Sequence, residues 1–381
     1  MLNRMFARRQ ACALAALASL ALLGYAKPAG AADPIVIGSV QDLTGPVATL
    51  GQYGKRGVDL AIAEVNAAGG VNGRPLELVS LNSESKPELA ASLGLRLASR
   101  NDVLALIGGT FGSTQTALGS IAQKEKIPLV TPTGVISDEQ RTWKYQFHTL
   151  ADFNDAAKMM LDYAKKKGFK KLGLLRLERE YGELGSKFLR QLAPQYGVEI
   201  VAEERGADGD RDFTAQLTKV RDANPDFIIV WFANPGGSLV LRNARQLGMK
   251  LPMIGPVSMD SSATIKLAGA AAEGFIVTSQ IAGSEVLPRQ KTFAEAYAKA
   301  FPEQPESNTF EAVGYDLIKI LVAALKSTPE PYTREKLRDS LAKLKYEGAG
   351  TVASYSDTKN DPSADTIVLT TISNGRFVLA K

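Results

Sequence analysis

The strongest constraint in this chain is a repeated alternation of short apolar runs with amphipathic stretches of helical spacing. Strand-like runs lie at 35–40, 76–81, 103–107, 127–131, 172–177, 198–202, 226–232, 252–254 and 275–278. Helical patterns fill the gaps, at 86–100, 114–125, 154–168, 182–196, 212–224 and 236–248, with another at 289–301. The first is "GKRGVDLAIAEVNAAGG", where Val58, Ile62 and Val65 share a face and Gly69-Gly70 marks the stop. Strands alternating with helices build right-handed βαβ units and mainly parallel sheets. One set of units spans 35 to about 131 and a second spans about 155 to 278, with "FHTLADFND" as an extended crossing between them. The expected fold class is therefore α/β, with two doubly wound parallel-sheet lobes. The segment 308–327 carries a continuous apolar stripe (Val313, Leu317, Leu321, Leu325) and needs a large surface to cover. Near the C-terminus, Asn374-Gly375 between two strand-like runs predicts a hairpin.

The N-terminal segment 1–32 reads differently. Arg4, Arg8 and Arg9 precede an Ala- and Leu-rich run, and Ala29 and Ala31 sit where a processing enzyme wants small residues. This is the pattern of a secretory signal peptide, with cleavage expected after Ala31 or Ala32. Spanning a bilayer takes about 20 apolar residues, more than this run comfortably supplies. The expected location is periplasmic. The Arg8-Arg9 pair leaves open whether export is by the general or the twin-arginine route. Cys12, the one cysteine, lies inside the expected signal, so the mature chain has no disulfide and no thiol nucleophile. The formal charge of +5 also comes mostly from this segment. The 45 basic residues less Arg4, Arg8, Arg9 and Lys27 leave 41, against 40 acidic residues. A chain so balanced gives no reason to expect a nucleic-acid partner.

The opening "IVIGSVQDLTGPVATLGQYGKRG" joins a strand to a helix through a turn, as a phosphate-binding loop does. The dinucleotide fingerprint G-x-G-x-x-G is missing, however, and so is G-x-x-x-x-G-K-[ST]. His148 is the only histidine and lies in the crossing, where it reads as ordering the hinge. With no H-E-x-x-H, no G-x-S-x-G and no close carboxylate cluster, neither an enzyme nor a metal site is expected, and no cofactor. The basic run "KKKGFKK" reads as a solvated helix end. What remains is a set of strand ends. In open α/β sheets ligands bind beyond the carboxyl ends of the strands. Residues 41–50, ending at Leu50, 109–114 and 131–135 line one rim. The matching rim of the second lobe holds "EREYGELG", "WFANPGG" and "PVSMDSS", with Tyr181, Trp231, Phe232 and Asp260. Each of these aromatics either faces a ligand or packs in the core. A helix beginning near Ser113-Thr114 presents backbone N–H groups and a dipole suited to a carboxylate. Ser113 equally reads as a plain helix cap.

Taken in order, "IVIGSVQDLTGPVATLGQYGKRGVDLAIAEVNAAGGVNGRPLEL", "ALIGGTFGSTQTA", "IPLVTPTG", "EREYGELG" and "AAEGFIVTS" resemble the leucine/isoleucine/valine-binding protein family. These are periplasmic solute receptors of ABC importers, and the likeness covers about residues 33–381. It implies the type I periplasmic-binding-protein fold, two lobes joined by a three-strand hinge crossing near 149, 279 and 352. Lobe one would be 33–149 plus 280–352, and lobe two 150–279 plus 353–381. It implies a carboxylate grip by the segment matching Phe111, Gly112 and Ser113, with Thr114 beside it, and by the turn Thr133-Gly134-Val135. Val135 lacks the hydroxyl common at that place. Tyr181 matches the second-lobe tyrosine. The acidic partner for an amino acid's ammonium corresponds to Val257 here, which leaves Asp260 as the substitute or the ligand without an ammonium. The implied function is hinge-closing capture of a small carboxylate-bearing ligand by a monomer that docks on a membrane permease. A sensory module presenting its ligand to a signalling partner and an exported enzyme of the same shape are the rival classes.

Overall fold

A computed structural model of the chain describes residues 32–110 and 112–381; the expected export signal up to residue 31 and Phe111 lie outside the described residues. The first sheet contains β1 (Ile35–Gln41), β2 (Leu76–Asn82), β3 (Val103–Gly108), β4 (Leu129–Thr131) and β5 (Gln146–His148) in the order β2-β1-β3-β4-β5. All of its neighbours pair in parallel. Its connecting helices are α1 (Ala48–Ala67), α2 (Pro87–Ala98), α3 (Gly112–Lys124) and the short α4 (Asp138–Arg141). The second sheet repeats the plan with β6 (Lys171–Leu177), β7 (Glu199–Gly206), β8 (Phe227–Trp231), β9 (Met253–Gly255) and β10 (Ile276–Ser279), ordered β7-β6-β8-β9-β10. Helices α5 (Phe153–Lys166), α6 (Glu180–Leu192), α7 (Thr214–Asp222), α8 (Gly236–Gln246) and α9 (Ser262–Ala268) connect it. The chain then continues through α10 (Lys291–Ala300), α11 (Thr309–Ser327), α12 (Arg334–Leu341) and a small ladder of β11 (Lys345–Glu347) with β12 (Val352–Ser354). It returns to the second sheet as β13 (Val368–Ser373), antiparallel to β10, and β14 (Arg376–Leu379). The expected two doubly wound lobes are thus present, each with its order reversing beside its first strand.

Strand periodicity explains why both sheets are covered on two sides. Ile35 and Ile37 face a core shared with Val58 and Ala61 of α1 and with Leu317 and Leu321 of α11. Val36 and Val40 face the opposite core, with Leu97 of α2 and Leu118 of α3. A strand points successive side chains to opposite faces, so a run apolar at every position is buried on both. Asn374 (φ 52°) and Gly375 (φ 71°) form the two-residue turn between β13 and β14, both in the left-handed region that such a hairpin demands.

Helix α11 is the element that 308–327 was expected to form. Asn308 opens it with a capping box. Its side chain accepts from the backbone N–H groups of Phe310 and Glu311, while the Glu311 carboxylate accepts from Asn308 N. The helix buries all but a few of its 19 residues, because α1 crosses it backbone to backbone. A Cβ on Gly314 would lie 2.2 Å from the Gly54 carbonyl oxygen, and one on Gly57 would lie 2.0 Å from that of Glu311.

The polypeptide passes between the sheets in three places. It leaves β5 through residues 149–152, leaves β10 after Ser279, and returns before β13. The third passage falls later than the expected position near 352. β12 still pairs with β11, Tyr355 Oη donates to the His148 carbonyl (2.5 Å), and His148 N donates to the Asn360 carbonyl (2.8 Å). Residues up to Asn360 therefore complete the open edge of β5, and the passage lies between there and Val368. The stretch expected as a wholly extended crossing likewise begins as β5 and ends as the start of α5.

Replacing Gly314 by Ala tests the helix contact. Overpacking a site with no room is expected to cost about 1–3 kcal/mol. A urea-denaturation midpoint equal to that of the parent protein would show that α1 and α11 can separate freely.

Candidate functional site

The turn from β3 into α3 begins with Gly108 (φ 130°) and Gly109 (φ 71°), and a Cβ on Gly108 would lie 1.8 Å from the Val40 carbonyl oxygen. Only glycine fits there. Asp42, directly after β1, holds this turn from below. One carboxylate oxygen accepts from Ser83 Oγ, and the other accepts from Thr110 N (3.0 Å) and Thr114 Oγ1 (2.8 Å). The tie places the first turn of α3 at the carboxyl edge of the sheet. The leading N–H groups of a helix have no partner inside it and carry the positive end of its dipole.

A cavity opens at that point, between the carboxyl edges of the two sheets. From the first sheet's side Leu50, Thr110, Gly112, Ser113, Thr133 and Ile136 line it. From the second sheet's side come Glu180, Tyr181, Leu184, Val257 and Ser258. Leu150 and Phe153 of the first passage and Phe310 of α11 close the back. The lobes also meet beside it, where Tyr53 Oη lies 3.5 Å from Ser262 Oγ. No Lys, Arg or His is among the described lining residues. An anion would therefore be held by hydroxyls and backbone N–H groups rather than by an ion pair.

The two walls differ in chemistry. On the first, Thr131 Oγ1 donates to the Gly109 carbonyl (3.1 Å) and lies 3.1 Å from Thr133 Oγ1. The Gly109 carbonyl can only accept, so Thr133 donates to Thr131. The carbonyl of Thr133 in turn accepts from His148 Nδ1 (2.9 Å). His148 is fully buried, and burial pushes its pKa down to about 4. It stays neutral and positions Thr133, in keeping with an ordering role. On the second wall Tyr181 Oη and Ser258 Oγ are 2.8 Å apart, and Ser258 donates to the Phe232 carbonyl (2.7 Å). Tyr181 therefore donates to Ser258. Its ring meets Phe153 edge-on at 5.6 Å and tilts against Trp231 at 6.1 Å. Burial pushes the phenol's pKa up, so it stays neutral. Gly182 and Gly185 let α6 sit this low. A Cβ on Gly185 would lie 2.3 Å from the Trp231 ring.

Of the residues singled out in the sequence, Leu50, Gly112, Ser113, Thr133 and Tyr181 line the cavity, whereas Thr114, Gly134, Trp231, Phe232 and Asp260 do not. Thr114 turns its hydroxyl to Asp42. Gly134 sits behind Thr133, where a Cβ would lie 2.5 Å from the Ala151 carbonyl oxygen. Trp231 and Phe232 are fully buried, in the cores on opposite faces of the second sheet, because consecutive residues at a strand end point opposite ways. Only Ala233 beyond them reaches the cavity. Asp260 is 2% exposed and is not among the lining residues. Its Oδ2 accepts from Thr309 Oγ1 (2.5 Å), Thr309 N (3.3 Å) and Ser279 Oγ (2.7 Å). Burial raises its pKa to about 6. Phe111 lies outside the described residues.

Sequence reasoning missed Ile136, Leu150, Phe153, Glu180, Leu184 and Phe310 as lining residues, and it missed Asp42 as the anchor of the turn. Glu180 and Leu184 lie within the quoted "EREYGELG". Asp42 had a legible signal, an acid between the end of a buried strand and a Thr-Gly-Pro turn. Phe310 had none, standing 52 residues beyond Ser258, the lining residue before it in the chain.

The sequence profile of the family described as periplasmic binding protein matches residues 34–376. A leucine-, isoleucine-, valine-, threonine- and alanine-binding protein of Pseudomonas aeruginosa is 27% identical over 332 residues, 87% of this chain and 88% of the relative. Among solved structures, the branched-chain amino acid transporter substrate binding protein LivJ from Streptococcus pneumoniae, in complex with isoleucine, superposes with a TM-score of 0.82. It is 26% identical, and the match covers 91% of this chain and 99% of that one. The leucine binding protein LivK from Thermotoga maritima gives a TM-score of 0.80 at 25% identity, covering 91% and 98%.

His148 gives the site a pH signature. An unfolded histidine titrates near 6.5, and this one titrates at about 4. Between those values the unfolded chain binds the extra proton. The contribution of His148 is complete above pH 6.5 and is lost as pH falls toward 4, at about 1.4 kcal/mol per pH unit. Asp260 and Asp316, both raised to about 6, act in the opposite sense: their contributions are complete at low pH and lost as pH rises through 6. The His148→Gln variant isolates the first effect. Its stability relative to the parent should improve steadily across that window in urea titrations at several pH values. Parallel curves would show that His148 is not held neutral.

Proposed function

The chain belongs to the periplasmic binding protein family, and from that premise we propose that it is the extracytoplasmic solute-binding component of an ABC importer, capturing a small carboxylate-bearing ligand by closure of its two lobes. The observation that carries this reading is the cavity enclosed by the carboxyl edges of both sheets, with hydroxyls and a helix N-terminus on one wall and an apolar, aromatic surface on the other. The named relatives bind branched-chain amino acids, which supports a ligand of that size. As a member of a family of binding proteins the chain is read as a binder, not a catalyst.

In this mechanism the ligand first docks its carboxylate on Ser113, Thr110 and the first N–H groups of α3. Closure then brings Tyr181, Val257 and Ser258 against the ligand's body. A ligand shifts an open–closed equilibrium only by its differential contacts with the closed form, so the second-lobe wall supplies the bias. The closed form, a monomer in the periplasm, then docks on a membrane permease. Among the described residues no helix is long and apolar enough to cross a membrane, which suits a protein that delivers to a separate permease.

Two measurements test this reading. A thermal-shift screen with branched-chain amino acids, aliphatic carboxylates and aromatic carboxylates should reveal at least one stabilising compound, and small-angle scattering should show the protein compacting with it. Tyr181→Ala is then expected to weaken binding of that compound tenfold or more, roughly 1.4 kcal/mol by calorimetry. Unchanged affinity would remove Tyr181 from the closing wall.

A further inference from the structure

Resting on the capture reading above, we infer that the ligand is a monocarboxylate with an apolar body and no ammonium group, and that this protein therefore discriminates against amino acids. The inference comes from what the cavity lacks on its inner surface. Among the described lining residues Glu180 is the single acid. It is exposed, in the first turn of α6, where the helix dipole and water already stabilise its charge. Asp260, the buried acid nearest in sequence to the wall, is not among the lining residues. Its oxygen is engaged by Thr309 and Ser279.

The polar pair on the second wall offers no charge either. The Tyr181 proton goes to Ser258 and the Ser258 proton goes to the Phe232 carbonyl, so the chain of donors ends within the protein. Beside that pair stand Val257 and Leu184, and behind it the rings of Phe153 and Phe310. An ammonium carried into this space would lose its water and meet no buried carboxylate in exchange, Glu180 being exposed at the rim. A charge moved from water to an apolar site without a partner binds poorly. A carboxylate at the other end meets a different surface, the hydroxyls of Thr110 and Ser113 and the start of α3. The cavity thus suits an anionic head with a neutral, apolar tail.

The experiment uses matched compounds that differ only in the amino group. Calorimetry compares isocaproate with leucine and hydrocinnamate with phenylalanine, with hydrocinnamamide as the control lacking the carboxylate. The acid of each pair is expected to bind at least about tenfold more tightly than its amino acid, and the amide more weakly than its acid. Amino acids binding as tightly as the acids, or more tightly, would overturn the inference and leave solute capture intact. An amide equal to its acid would overturn the carboxylate grip itself, and silence from every compound would overturn both. Glu180→Gln supplies a second arm, since the exposed position tolerates the change. Removing a like charge near the anion should tighten hydrocinnamate binding by about two- to fivefold. A tenfold loss of leucine affinity in that variant would identify Glu180 as the partner of an ammonium and refute the proposal.

Discussion

One buried side chain holds the two lobes in register. Gln280, at the second passage between the sheets, donates through Nε2 to the carbonyls of Thr149 in the first passage and Gly350 in the turn from β11 to β12. Its Oε1 accepts from Ala151 N at 2.6 Å. Thr351 Oγ1 adds a bond to the Thr149 carbonyl (2.9 Å). Three strands of irregular backbone would otherwise leave buried N–H and C=O groups unpaired, each costing about 1–3 kcal/mol. An amide is suited to this place because it donates and accepts without a charge. The hinge is thereby a connected unit.

The buried carboxylates follow one pattern. Asp42 holds the turn into α3, Asp260 ties the second rim to the start of α11, and Glu311 completes the capping box of that helix. Asp316 accepts from Gly350 N (2.7 Å), Thr351 N (2.8 Å) and Tyr346 Oη (2.6 Å), and so fixes the turn from β11 to β12. Each satisfies backbone donors that no regular element can satisfy. Burial raises Asp260 and Asp316 to about 6, although the hydrogen bonds pull the other way. The fold uses buried acids to shape the cleft and leaves the exposed Glu180 as the single acid among the described residues that line it.

The large features were legible because they follow from period and punctuation. The alternation of apolar runs and helical stretches gave two repeated βαβ sets, the Asn374-Gly375 pair gave the hairpin, and the stripe from Val313 to Leu325 gave the covering helix. Half of the candidate site was legible for a related reason. Residues such as Leu50, Ser113 and Tyr181 follow strand ends directly, and strand ends in such sheets lie at the rim. What failed was the direction of individual side chains. Trp231 and Phe232 also end a strand, yet they turn into the cores, and Asp260 is not among the lining residues. A residue's place at the rim does not state which way it points.

By itself, then, the sequence determined the fold class, the repeated topology and the edge at which a ligand would sit, since each depends on neighbours a few residues apart. Only the tertiary structure decided which side chains meet there. Phe310, Phe153 and Val257 come from separate passages of the chain and share a wall because the hinge folds the second sheet onto the first. The charge of that wall, and hence the kind of molecule it accepts, is a property of contacts between distant segments, which no local pattern encodes.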